Sequence, residues 1–331
     1  MAGGFNTPEL VAAVANAGGV GSFGFAYSSA EAIDQALVSA AGQTTGLINA
    51  NFFVFPEVSA LQPERVEAAL QALNTLPMDR HWDETSLTPP FVPDLSTQLE
   101  PVWQQRPAMV TFHFGLPPMA LIEKAHALGI SVGITATCVA EAAAIEAAGG
   151  DFIVAQGWEA GGHRGCFDST ETDQEQTLLT LVGAITECVS LPIVAAGGLM
   201  TGREIAMALS AGAVAAQLGT AFLCCPEANA SASHRTLLLN KELRDTVFTS
   251  AFSGRPARGI QNRFIDAMQG KALLAFPLQN RLTGALRQWA VQHENPEFQS
   301  VWAGTGYRDM RPLPAAQLMQ LLHNEIRAVQ R

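Results

Sequence analysis

From Thr7 to Leu218 the sequence repeats one unit: a segment with apolar residues at helical spacing, a glycine-bearing turn, and a short apolar run of strand character. The runs fall at Val20 to Phe25, Gly46 to Phe53, Ala108 to Phe114, Ile130 to Ala136, Phe152 to Ala155, Pro192 to Ala196 and Val214 to Leu218. Between them lie helical patterns. The first opens on Thr7-Pro8-Glu9, an N-cap, a proline at the first helical position and a first-turn acid, and ends at Gly18-Gly19. Ser29 caps the second, and later ones cover 63–76, 96–104, 118–128, 139–148, 177–189 and 202–211. Regular strand–helix alternation predicts a parallel α/β architecture.

Eight such units close a ring of strands, the TIM (β/α)8 barrel, with ligands at the carboxyl ends of the strands. Here seven strands are legible, and Met1-Ala2-Gly3-Gly4 reads as the exit from an eighth. The expectation is a TIM-type barrel over 1–225 whose first strand is truncated or missing. It is interrupted by an irregular, proline-rich connection over 77–107. Past Pro226 the alternation stops, and 226–303 reads as a small, mainly helical appended domain with a turn-rich loop at 253–259. Leu318, Leu321, Leu322 and Ile326 put a last helix within 304–331, packing back on the barrel.

Charge removes several function classes. Nineteen Lys and Arg against thirty Asp and Glu leave a net charge of −11, without a basic stripe, which excludes a nucleic-acid partner. No apolar run approaches the ~20 residues that span a bilayer, so no membrane partner is expected. The five cysteines, Cys138, Cys166, Cys188, Cys224 and Cys225, have neither zinc spacing nor an even count. They read as reduced thiols of a cytoplasmic protein, and no signal peptide is visible. No metal-binding motif is present, so no metal site is expected.

Chemistry concentrates at three strand ends. Ala196-Gly-Gly198 precedes a helix, and Gln217-Leu-Gly-Thr220 follows the last strand. Glycines there let backbone N–H groups approach phosphate oxygens, and a helix N-terminus adds a favourable dipole. The third is Gln156-Gly-Trp-Glu-Ala-Gly-Gly-His163-Arg-Gly165, where His163 is an imidazole suited to proton transfer near neutrality. Gln156 and Asn51 offer bifunctional amides to a heterocycle. His113 also lies at a strand end and could line the same pocket. Asp151 and Glu159 read as caps or ion-pair partners. Gly19-Val-Gly-Ser-Phe-Gly24 matches a dinucleotide fingerprint but opens a strand after a helix, the wrong order for a pyrophosphate.

Together the stretches Gln156 to Gly165, Ala196 to Gly198 and Gln217 to Thr220, with Asn16-Ala-Gly-Gly-Val-Gly21 and Ser253-Gly-Arg-Pro-Ala-Arg258, resemble the nitronate monooxygenases, formerly 2-nitropropane dioxygenases. The resemblance implies a TIM barrel holding non-covalent FMN. The FMN site would be Met1, Ala2, Gly3, Asn51, Gln156, Gly161, Gly197, Gly198, Gln217, Leu218, Gly219 and Thr220. His163 would be the catalytic base or the holder of the nitro oxygens, with His113 and Tyr307 in the substrate pocket. The implied reaction is oxidation of an alkyl nitronate, or of a nitroalkane, with O2 to a carbonyl compound and nitrite. The same scaffold also serves flavin-dependent NAD(P)H reductases of enoyl thioesters or quinones, and a non-catalytic flavin-binding barrel is a third reading. Oligomeric state is not legible.

Overall fold

The computed structural model describes residues 3–58, 60–78, 81–240 and 244–329. Strands β1 (Val20–Gly24), β2 (Leu47–Phe53), β3 (Met109–His113), β4 (Ser131–Ala136) and β5 (Phe152–Gln156) come first. They are followed by β6 (Gly162–His163), β7 (Ile193–Ala196), β8 (Ala215–Gln217), β9 (Thr246–Thr249) and β10 (Ala257–Ile260). Seven of them form one sheet in the order β1-β2-β3-β4-β5-β7-β8, every neighbouring pair parallel. One cavity is lined by Ser22, Asn49, Thr111, Thr135, Gln156, Val194 and Ala216, one residue from each of these strands. The sheet is therefore curled around that cavity in the TIM-type manner.

The strand runs are apolar because both faces are covered. Phe112, Val132, Ile134, Ile153 and Ala195 are fully buried between the cavity and the surrounding helices. Helix α1 (Pro8–Asn16) starts where Thr7 accepts a hydrogen bond from Leu10 N, and α2 (Ala30–Ala41) starts at Ser29 in the same way. Helices α3 (Pro63–Asn74), α4 (Leu95–Gln105), α5 (Met119–Ala127), α6 (Val139–Ala147), α7 (Leu178–Thr186) and α8 (Gly202–Ser210) follow, close to the expected bounds.

The expected truncation of the first strand has a counterpart in the sheet. Among the described residues β1 pairs only with β2 and β8 only with β7, so the seam between β1 and β8 is unbridged by backbone. Met1 and Ala2 lie outside the described residues. Gly3 to Phe5 form a turn, and Phe5 O accepts from Asn229 N at 2.9 Å. Outside the seam lies α13 (Ala315–Val329), packed on α1 and α8. Leu318 and Leu322 are buried there, and Glu325 accepts from Gly202 N and pairs with Arg311, each at 2.6 Å.

Beyond β8 come α9 (Ala232–Leu239), α10 (Arg263–Met268), α11 (Leu278–Leu282) and α12 (Gly284–Gln292). The segment expected to be a turn-rich loop at 253–259 contributes a strand instead. β10 is the middle of a three-stranded antiparallel sheet in the order β6-β10-β9, pairing Ala257 with His163 and with Thr249. Arg258 and Gly259 interrupt any apolar alternation, and its partner β6 is only two residues long. Arg258 is buried by stacking 4.3 Å over Phe248 while it donates to Trp158 O at 2.9 Å. The irregular 77–107 connection is not free-standing: Trp82 and Leu87 share a core with Phe252, Phe264 and Leu286. No helix among the described residues is long and apolar enough to cross a membrane.

Candidate active site

The barrel cavity has a volume of about 1850 Å³ and reaches from the amino ends of the strands (Val20, Leu47, Val214) to their carboxyl ends. Its upper part collects most of the residues singled out from sequence. Gly3, Asn51, His113, Gln156, Gly161, His163, Gly197, Gly198, Gln217, Leu218, Gly219 and Thr220 all line it. Tyr307 does not: it is buried in the cluster beneath α13, and its hydroxyl donates to Arg244 O at 2.6 Å. The reason is local. Gly304, the cap of the 3-10 turn Thr305–Asp309, and Gly306 within it line the cavity, while Tyr307 does not.

The glycines have two distinct causes. Gly197 and Gly198 hold φ of 138° and 68°, open to glycine and disfavoured for other residues. Gly161 is demanded by space, because a Cβ there would sit 2.4 Å from Gly304 N. Gly306 is similar, with a would-be Cβ 2.4 Å from Gly198 O. Three loops, 157–161, 197–198 and 303–306, thus touch backbone to backbone and form one corner of the cavity.

That corner suits a phosphate in one respect and not in another. The N-terminus of α8 is already satisfied. Met200 N and Thr201 N donate to Glu204 Oε2 at 2.8 Å, and Gly202 N to Glu325 Oε2. The expected contribution of that helix terminus to anion binding is therefore taken by the protein's own carboxylates. The N–H groups of Gly198, Gly219 and Thr220, by contrast, have no acceptor among the described residues. Unpaired backbone donors converging on a cavity are what a phosphate requires.

The amides divide similarly. Gln156 is largely committed to its own loop: Nε2 donates to His163 O at 3.0 Å and Oε1 accepts from Gly165 N at 2.7 Å. Asn51 Oδ1 accepts from Thr111 Oγ1 at 3.0 Å, and its Nδ2 is left as a donor into the cavity. Glu159 caps α7 through Leu178 N, and Asp151 accepts from Val132 N and His126, as caps and pairs should.

His163 sits in an aromatic enclosure. Ring centroids of Phe53, Phe114, Phe276 and Trp302 lie 6.0, 5.8, 5.8 and 5.6 Å from its own. Its Nε2 is 2.9 Å from Ser253 Oγ. The Ser253 hydroxyl has one proton, which it donates to Arg255 O at 3.0 Å. The network is then satisfied with Nε2–H donating to Ser253 Oγ and Nδ1 unprotonated. Burial, followed by the neighbouring His113, Arg255 and Arg287, pushes the His163 pKa down to about 3. His113 is lowered to about 3 as well, chiefly by burial. Both imidazoles are neutral at neutral pH. Among the described residues no three His, Cys, Asp or Glu side chains cluster to hold a metal.

Ser253, Arg255, Phe276 and Trp302 were not assigned to the site from sequence. The Ser253-to-Arg258 motif was legible, but its place beside His163 follows from the pairing of β6 with β10.

A family model for nitronate monooxygenase matches residues 1–325. The chain belongs to the nitronate monooxygenase family. It is 41% identical to nitronate monooxygenase of Pseudomonas aeruginosa over 98% of this chain and 94% of that protein. Identity to the Paraburkholderia phytofirmans nitronate monooxygenase is 36%, over 98% and 90% of the two. Among solved structures, nitroalkane oxidase from Streptomyces ansochromogenes superposes with a TM-score of 0.90 at 35% identity, covering 100% of this chain and 94% of that one. FabK from Thermotoga maritima, at 24% identity and a TM-score of 0.76, shares the fold.

Proposed function

We propose that the protein oxidises small alkyl nitronates with O2, using FMN bound in the upper half of the barrel, to give a carbonyl compound and nitrite. Family membership supports the reaction class, and the cavity supports the cofactor. The free N–H groups of Gly198, Gly219 and Thr220 suit the phosphate, and Asn51 Nδ2 a ring acceptor. Gly3, Gly161, Gly197, Gln217 and Leu218 complete the wall. Bound there, FMN supplies the redox chemistry between nitronate and O2.

The observation that carries the choice of substrate is the state of His163. A general base works best with a pKa near the working pH, whereas burial and positive neighbours hold this imidazole at about 3. Proton abstraction from a neutral nitroalkane is poorly served. A nitronate arrives already deprotonated, and its negative charge favours the buried imidazole beside Arg255 and Arg287. His163 then orients the anion within the aromatic box, while Phe53, Phe114, Phe276 and Trp302 exclude water. The purified protein should show the visible absorption of oxidised flavin, with bound FMN released on denaturation. A colourless protein that fails to take up added FMN would remove this reading.

A further inference from the structure

The cavity is lined by more cationic than anionic side chains in a protein whose net charge is −11. Arg281 and Arg287 both line it, from α11 and α12. The one carboxylate among the described lining residues is Asp151, at the amino ends of the strands, where it already accepts from Val132 N and His126. Arg281 is bound to the backbone of the 77–107 connection, its Nε donating to Phe91 O at 2.9 Å. Arg287 is held at one corner only: Nη2 donates to Asn280 O and Oδ1 at 2.7 and 2.9 Å. Its Nε is buried with no acceptor, and no described carboxylate pairs with it.

A half-buried guanidinium without a counter-charge is costly, and an anion bound to it makes strong charge-assisted hydrogen bonds. The neighbours fit that role. Tyr27 lines the same cavity and is 42% exposed there. Tyr27 packs on Phe53 with centroids 6.0 Å apart, and Phe53 packs on His163 at the same distance. Arg287 and His163 line the same cavity, near enough that the arginine's charge acts on the imidazole.

We propose that Arg287 is the anion seat for the substrate: its unpaired donors bind the nitronate oxygens, and the cationic lining selects the anion over the neutral nitroalkane. This rests on the nitronate-oxidising reading above. With Nη2 on Asn280 and Nε buried, Nη1 is the guanidinium nitrogen left without a partner among the described residues, a charged donor for a nitronate oxygen. Arg281, tied to backbone carbonyls, adds to the attractive field without being the seat.

The test uses the FMN-loaded protein and nitrate, a planar anion that mimics the nitronate head and undergoes no turnover. Nitrate affinity is measured by calorimetry for wild type, Arg287→Gln and Arg287→Lys, beside steady-state kinetics on propyl-2-nitronate. Arg287→Gln should weaken nitrate binding and raise KM by about tenfold or more each, with kcat changed by less than about threefold. Arg287→Lys should recover part of both. In wild type, KM for the nitronate should rise with ionic strength. Wild-type affinity and KM in Arg287→Gln, or no saturable nitrate binding by the wild type, would overturn the proposal. So would loss of FMN from Arg287→Gln with nitrate affinity intact, which would give the arginine to the cofactor. Should Arg287→Gln not fold, Arg287→Lys and the ionic-strength series decide alone. Arg287-dependent nitrate binding in a protein that never oxidises nitronates would keep the seat and sink the activity.

Discussion

His113 holds the backbone of His163. Its Nε2 lies 3.2 Å from the His163 carbonyl oxygen, and its Nδ1 lies 3.0 Å from Thr135 Oγ1. With Nε2–H donating to the carbonyl and Nδ1 accepting from the threonine hydroxyl, both ring nitrogens are used up inside the protein. Gln156 Nε2 donates to the same carbonyl. The two histidines thus differ: His113 has both ring nitrogens engaged, and His163 keeps Nδ1 without a partner among the described residues.

Replacing His113 by leucine should leave the His163 carbonyl with one donor and the Thr135 hydroxyl without its acceptor. Loss of a buried hydrogen-bond partner costs about 1–3 kcal/mol. We expect a melting temperature lowered by several degrees and kcat/KM on nitronate reduced about tenfold. His113→Gln, which can still donate, should lie between leucine and wild type. Equal activity for wild type and His113→Leu would refute this supporting role.

Stability should fall in acid. His113 and His163 are held near 3 and His234 near 4, in each case chiefly by burial, against about 6.5 in an unfolded chain. Below pH 6.5 the unfolded chain binds protons that the folded one refuses, so the stabilisation is complete above that pH and is lost as pH falls toward 3–4. Each proton taken up steepens the dependence by about 1.4 kcal/mol per pH unit. Urea midpoints between pH 7 and 4 should drop steeply in wild type and less so in His113→Gln. Parallel curves would remove His113 from the account.

Ser253→Ala should change the pH profile of the reaction more than it changes folding. The substitution removes the oxygen that accepts from His163 Nε2 and also receives Arg255 N. We expect a loss in kcat/KM of about three- to tenfold, in line with one hydrogen bond of about 1 kcal/mol. The pH dependence of nitronate binding should be displaced. An unaltered pH profile would detach Ser253 from the imidazole.

Gly161→Ala should damage cofactor retention. The new methyl would sit 2.4 Å from Gly304 N and 2.5 Å from Ala303 C, both backbone atoms. Overpacking of this kind costs about 1–3 kcal/mol and would push the 303–306 loop from the phosphate corner. Fluorescence titration should show FMN bound at least about tenfold more weakly than in wild type. Gly183→Ala, on a helix with open space around it, serves as the control.

Much of the barrel was legible because its signals are local. Caps at Thr7 and Ser29, glycine turns after helices and seven apolar runs lie within one unit of each other along the chain. His163 and the glycine corners were legible for the same reason, since a strand end followed by glycine is a short-range pattern. What stayed hidden depends on distant pairing. β10 meets β6 across more than ninety residues, which alone brings Ser253 to His163. Tyr307 was misplaced because nothing in its short turn reveals which side faces the cavity. The carboxylates that satisfy the α8 N-terminus include Glu325, from the other end of the chain.

The most direct measurement is oxygen consumption by the FMN-loaded protein with propyl-2-nitronate, with nitrite assayed alongside. The account predicts saturable O2 uptake, nitrite formed in step with it, and little turnover of neutral 2-nitropropane at the same concentration. No nitrite from the nitronate, or turnover of the neutral nitroalkane equal to that of the nitronate, would contradict it.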